Sequence, residues 1–257
     1  MHPEVAPDSA SAPIAVLELS PSAPSGVAKA LQFLGIDALV TADPVDLLRA
    51  PLVIVAGHGA FAEAMKGLHE RKLHDLLKEI IQAGTPYLGL GLGLQLLFDR
   101  SDEAPGQPGL GILSGYCAGL TTPRKQLHAG WNRLDMQRPG SPLDHVPSQW
   151  FYFQHSFHVI PEDPTLAVAT APLAGPLVAA IRHRNIFAVQ FQPYKSGHAG
   201  LELLRAAVTA PWRSLPSTQK VPMVRDLGSA TRTVQVRLIR PESGGVDTAI
   251  PPESIDP

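Results

Sequence analysis

The stretch PYLGLGLGLQLLF, Pro86 to Phe98, constrains this chain more than any other. Tyr87 to Leu90 reads as a buried strand, Leu92 to Phe98 opens a helix, and the glycines between them predict a sharp turn with Gly91 at its apex. Such a turn forces its apex residue into a strained conformation and pushes the side chain into solvent, so the apex usually carries a nucleophile. Glycine keeps the turn, relaxes the strain and supplies no side chain. A glycine-rich turn that binds a phosphate, or nothing, has the same pattern, and a loose GxGxG run does not separate the two. Further along, IFAVQFQPYKS (Ile186 to Ser196) reads as a strand ending where a general base and its orienting partner would stand. Those places hold Gln192 and Tyr194.

The rest of the chain supplies a sheet for that turn. Ile14 to Leu19, Leu39 to Thr41 and Leu52 to Ala56 are strand-like. The last is a continuous apolar run of the kind found in parallel strands covered on both faces. Ser25 to Leu34 has helical spacing, and Ala60 to Ala83 gives one or two helices ending at Gly84. This alternation predicts an α/β fold with a parallel sheet between helices. From Gly111 the pattern changes to short strand-like runs: Gly111 to Leu120, Gly130 to Met136, Trp150 to Ile160, Ala167 to Thr170, Leu177 to Arg182 and Ile186 to Phe191. They predict an antiparallel portion joined to the α/β half, closed by a helix over Ala199 to Val208. Residues 1–12 read as a disordered lead-in, 13–210 as the folded domain, and 211–257 as an appended tail with one strand-like piece, Thr233 to Ile239.

Several separated segments carry a family resemblance: AGHGAF (Ala56 to Phe61), PYLGLGLGLQLLF, GLGIL (Gly109 to Leu113), HAGWN (His128 to Asn132), FYFQHSF (Phe151 to Phe157) and IFAVQFQPYKS. In order and spacing the chain, from Ile14 to about Val208, resembles the glutaminase subunit of imidazole glycerol phosphate synthase, a class I glutamine amidotransferase of the histidine pathway. The resemblance implies a flavodoxin-like class I amidotransferase fold, with a mixed central sheet flanked by helices. It implies a heterodimer with a (β/α)8-barrel cyclase subunit, or a paralogue of it, and no cofactor. It places Gly57, His58 and Gly59 at an oxyanion loop, Gln95, His155 and Ser156 around a glutamine pocket, and Trp131, Asn132 and Lys195 near the partner interface.

The departures from that family bear on function. The resemblance places a nucleophilic Cys at Gly91, a His at Gln192 and a Glu at Tyr194. Glutamine hydrolysis needs a thiolate to attack the amide and a His to carry the proton to the leaving ammonia. Gln does not titrate near neutrality and glycine cannot attack, so the first expectation is an inactive pseudo-glutaminase that regulates or scaffolds a barrel partner. The alternatives are a working amidotransferase subunit with a non-standard site, and a glutamine-sensing module. The family's Asp-Tyr-Gly-x-Gly-Asn segment is replaced by ELSPSAPSG (Glu18 to Gly26), which puts part of the docking surface in question.

Each remaining candidate has a plainer reading. His58 is a substitute base or a surface-loop histidine; Cys117 is a core thiol or a displaced nucleophile. Gln95 presents its amide to a ligand or lies on a helix surface, and Trp131 is an interface residue or a structural tryptophan. Tyr194, bulkier than Glu, is expected to fill part of the pocket. The ten histidines are scattered and the one cysteine has no ligand-spaced partner, so no metal site is expected. A net charge of −2 without a basic stripe disfavours nucleic acid and anionic membranes. No apolar run approaches the roughly 18 residues of a membrane span, and a single cysteine gives no sign of an oxidising compartment. The expected location is cytoplasmic.

Overall fold

The computed structural model describes residues 12–19, 26–120, 127–173, 175–209 and 236–237. The predicted lead-in, apart from Ala12, and the predicted tail, apart from Val236 and Arg237, lie outside them.

The first half alternates as expected: β1 (Ile14–Glu18), α1 (Gly26–Phe33), β2 (Ala38–Val40), α2 (Pro44–Arg49), β3 (Val53–Gly57), α3 (Phe61–Glu70), α4 (His74–Gln82) and β4 (Tyr87–Gly91). The expected long helical stretch is two helices, separated where Lys72 takes a positive φ of 56°. Helix α2 escaped the sequence reading. It is six residues long, capped by the Asp43 carboxylate on the Val45 N–H with Pro44 opening the first turn.

The chain continues with α5 (Leu92–Gln95), β5 (Phe98–Ser101), β6 (Leu113–Gly119), β7 (His128–Arg133), β8 (Asp135–Met136), β9 (Trp150–His155), β10 (Phe157–Pro161), β11 (Ala167–Pro172), β12 (Pro176–His183), β13 (Ile186–Val189), α6 (Gly197–Thr209) and β14 (Val236–Arg237). Two expectations are corrected here. The helix after the elbow is a single turn, because Phe98 is drawn into β5 and pairs with Leu113 of β6. The expected strand Trp150 to Ile160 is two strands that part at Ser156. β9 pairs with β7 and β10 pairs with β6, so the break is set by tertiary pairing.

Among the described residues the main sheet has nine strands, in the order β14-β2-β1-β3-β4-β13-β12-β11-β8. From β2 to β13 the pairs are parallel; from β13 to β8 they are antiparallel. The expected antiparallel portion therefore extends the same sheet. A three-stranded sheet (β10-β6-β5) and the β7–β9 ribbon sit beside it. The chain leaves β1 outward to β2 and then returns to β3 and β4, so the strand order reverses between β1 and β3. Clefts at such reversals, beyond the carboxyl ends of the strands, are where open α/β sheets bind ligands.

Two buried clusters flank the sheet, one including Val16, Ile54, Leu88 and Phe187, the other Leu17, Val55, Tyr87 and Ala188. The elbow is locked into the second. A Cβ on Gly93 would overlap the Val55 carbonyl, so only glycine lets α5 press against β3. Tyr87 is fully buried, and its hydroxyl donates to the Gly93 carbonyl at 2.7 Å. Removing that hydroxyl in Tyr87→Phe strips a buried acceptor of a donor, and the unfolding free energy in urea is expected to fall by about 1–2 kcal/mol.

Candidate active site

The carboxyl ends of β3, β4 and β13 converge. Gly57 pairs with Gly91 in register, and β13 runs on into Gln190 and Gln192. Gly91 has φ +60° and ψ −108°, a conformation an L side chain adopts only under strain. A Cβ there would point to Gln192, 2.9 Å from its Nε2, and would lie 3.1 Å from the Gly57 carbonyl oxygen. The strained elbow that the sequence predicts is thus present, and the two positions expected to carry nucleophile and base face each other.

A cleft of about 270 Å³ opens at this point. Its lining contains Gly91 and Gln192, the loop Gly57, His58 and Gly59, and all three expected pocket residues, Gln95, His155 and Ser156. Glu103, Leu127, Gln154, Phe157 and Gln190 also line it and were not singled out from the sequence. Gln190 was legible: it shares the alternating face of β13 with Gln192. Glu103 was not; it follows β5, and its carboxylate accepts from the Phe61 N–H at the start of α3 (3.0 Å). A larger cavity, about 410 Å³ and bounded by residues such as Leu134, Leu143 and Phe151, contains none of the candidate residues.

The far wall of the cleft is a hydrogen-bonded chain. Gln95 is buried, and its Nε2 donates to the Phe157 carbonyl (2.9 Å) and to Gln190 Oε1 (3.3 Å). It is a wall residue, not a helix-surface one. His155 Nδ1 also meets the Phe157 carbonyl at 2.9 Å, and its Nε2 lies 3.0 Å from His128 Nδ1. A carbonyl only accepts, so His155 carries its proton on Nδ1. Its Nε2 then accepts from His128 Nδ1–H, and both rings are neutral. Burial pushes His155 down to about 3, with His128 and His158 adding to the shift against the pull of the Phe157 carbonyl. Burial likewise lowers His128 and His158. Among the described residues no group of three His, Cys, Asp or Glu is placed to hold a metal.

Tyr194 does not fill the cleft, contrary to expectation. Its ring packs on Gly26 at the start of α1, where a Cβ would collide with it, and Lys195 Nζ stands 5.9 Å from the ring centre. Burial and the neighbouring Glu18 raise the Tyr194 hydroxyl pKa, and burial raises Glu18 itself. Cys117 is a core thiol: its Sγ donates to the Gln95 carbonyl at 3.5 Å, and burial with nearby Glu103 and Asp102 pushes it up to about 12.

The three expected interface residues sit close to one another around the ribbon. Trp131 is 54% exposed on β7 and meets Tyr152 of β9 edge-on at 6.1 Å. Trp150, 52% exposed, shares that outer face. Lys195 Nζ donates to Gln154 Oε1 at 2.8 Å, linking this surface to the cleft lining. Asn132 turns the other way and donates to the Pro172 carbonyl (2.8 Å). Behind the ribbon, Phe151 and Phe153 pack on Phe191 at 4.2 and 5.6 Å, which fastens it to the end of β13.

Residues 49–209 match the glutamine amidotransferase class-I family. The chain is 44% identical over 201 residues to imidazole glycerol phosphate synthase subunit HisH of Thermosynechococcus vestitus, covering 75% of this chain and 94% of that protein. It is 38% identical over 194 residues to the HisH subunit of Moorella thermoacetica, covering 75% and 92%. Among solved structures, a glutamine amidotransferase matches with a TM-score of 0.61 at 19% identity over 76% of this chain and 99% of that one. PurLQS from Thermotoga maritima matches with a TM-score of 0.56 at 16% identity, over 76% and 97%. At those identities the structural likeness speaks for the fold alone.

Proposed function

From the premise that this chain belongs to the class I glutamine amidotransferase family, as a HisH-like member, we propose that it is the amidotransferase-type subunit of an imidazole glycerol phosphate synthase, docked as a heterodimer on a cyclase-type barrel. We propose further that its cleft holds glutamine without hydrolysing it. The observation that carries the second step is the pairing of Gly91 with Gln192: the apex that faces position 192 has no side chain to attack with, and Gln192 cannot take a proton. Tyr194 offers no carboxylate to orient a base. Cys117, buried and pushed up to about 12, is no substitute thiolate.

A working subunit is the second reading, and the similarity to HisH subunits along 94% of one relative's length fits it at least as well. The glycine-rich loop Gly57 to Gly59, which lines the cleft beside Gly91, also favours it. Glutamate release from glutamine by the purified chain, with and without the cyclase-type subunit from the same source, separates the two. No turnover with a stable complex on a sizing column is expected. Partner-dependent turnover would establish the second reading and direct attention to His58, whose loop lines the cleft beside Gly91.

Docking is assigned to the outer face of the β7–β9 ribbon, where Trp131 and Trp150 stand exposed and Gln154 accepts from Lys195. Exposed tryptophans of this kind anchor interfaces. Trp131→Ala is expected to raise the dissociation constant for the cyclase-type subunit about tenfold, measured by calorimetry, with the fold unchanged. No described helix is long and apolar enough to cross a membrane.

A further inference from the structure

The parallel half of the main sheet ends at β2, which reads Ala38-Leu39-Val40 and holds no charge or proline that would block pairing. Val40 lies in register with Val16 of β1 and packs, half-buried, on the core cluster that contains Val16. The helices before and after β2 in the chain each leave a large apolar side chain in solvent, Phe33 at 78% exposure and Val45 at 48%. A strand edge of this kind is a template for another strand. The strand that meets it comes from the far end of the chain. Val236 and Arg237, as β14, run antiparallel to Val40 and Leu39. Both lie beyond residues 49–209, which carry the family match.

We propose that the edge of β2 is a strand-accepting site whose occupant is this chain's own segment Thr233 to Ile239, which seals the sheet in cis. The segment reads TVQVRLI. Val234, Val236 and Leu238 alternate with Thr233, Gln235 and Arg237, the pattern of a strand with one apolar face. Such a strand has no stability alone and needs a sheet to join. Antiparallel edge strands are common additions to parallel sheets. The segment also carries what β2 lacks. Arg237 lies within it, and Arg232, Arg240 and Pro241 flank it, so the strand that closes this edge discourages a further one. Residues 210–235 connect it to the end of α6 at Thr209. Fully extended they would reach about 85 Å, against a domain about 40 Å across, so the tether spans the distance within one molecule. Tethering raises the local concentration of the strand at the edge to the millimolar range, roughly, which favours it over the same strand of a second copy.

Hydrogen exchange read by mass spectrometry tests this on the full chain. Peptides covering 37–42 and 232–240 are both expected to be protected, the second exchanging at least about tenfold more slowly than an unstructured peptide. The double variant Val236→Pro/Arg237→Pro removes a backbone N–H whichever of the two neighbours faces β2. It is expected to bring 232–240 to the unstructured rate and to speed 37–42 at least about tenfold, with β3 and β4 exchanging as in the parent. A wild-type tail that exchanges at the unstructured rate overturns the proposal, and so does protection of the two segments that survives the prolines. Two cysteine pairs then tell cis from trans, Leu39→Cys/Arg237→Cys and Val40→Cys/Val236→Cys, because opposed residues of an antiparallel ladder, about 4.5–5.5 Å apart at Cα, lie within disulfide range. Oxidation is expected to close at least one pair within the monomer, seen on a non-reducing gel. A disulfide-linked dimer would assign the edge to a second copy and overturn the proposal, as would two pairs that both stay open.

Discussion

The triple variant G91C/Q192H/Y194E is expected to release glutamate from glutamine, at least about a thousandfold above the parent chain, because groups that act as a catalytic unit lose and regain function together. The backbone at residue 91 already holds φ +60°, and a side chain there points at residue 192 from 2.9 Å. A cysteine at the apex accepts the strain that glycine avoids, of the order of 1–3 kcal/mol, and places its sulfur beside an imidazole at 192. The loop Gly57 to Gly59 and the wall built by Gln95 and His155 line the same cleft. Each single change should remain silent. G91C alone gives a thiol with no base, and Q192H alone a base with nothing to activate. G91C should nonetheless become alkylated by iodoacetamide, which buried Cys117 resists, so the thiol can be tracked without turnover. A folded triple variant that stays silent alone and with its partner would show that three side chains are not what stops hydrolysis. The altered Glu18 to Gly26 segment would then become the suspect.

The parts of this site that were legible in the chain are those governed by local rules. Strand, glycine turn and helix in PYLGLGLGLQLLF specify an elbow, because a short apolar run followed by conformationally free glycines has few other solutions. The alternation in IFAVQFQ puts Gln190 and Gln192 on one face, although only Gln192 was drawn from it. What stayed hidden depends on contacts between distant segments. Ser156 ends one strand and begins another only because β9 finds β7 and β10 finds β6. Phe98 leaves its helix because β6 offers it a strand partner. Tyr194 turns to α1 because Gly26 leaves room for its ring, a fact recorded far from the residue itself. His128 was visible within HAGWN, but nothing local said that it would meet His155 at 3.0 Å.

That histidine pair makes the fold sensitive to acid over a particular range. His155 holds its proton on Nδ1 against the Phe157 carbonyl and uses Nε2 as an acceptor from His128, so His155 cannot take a second proton without breaking the pair. In the folded protein His155 is held down to about 3; released on unfolding it returns to the ordinary value of 6.5. Above that value both states are neutral and the pair's contribution is complete. As the pH falls below it, the unfolded chain gains a proton that the folded chain refuses, and stability is lost steadily until the folded value is reached. At pH 4.5 the loss from His155 is expected to be about 2–3 kcal/mol. The lowered His128 and His158 act with the same sign; Glu18, whose carboxyl is raised by burial, acts against it. Urea unfolding between pH 7.5 and 4.5 should therefore show a steep fall in the wild type and a shallower one in His155→Gln, which removes the titrating ring. Parallel pH profiles for the two proteins would mean that the pair does not carry the acid sensitivity.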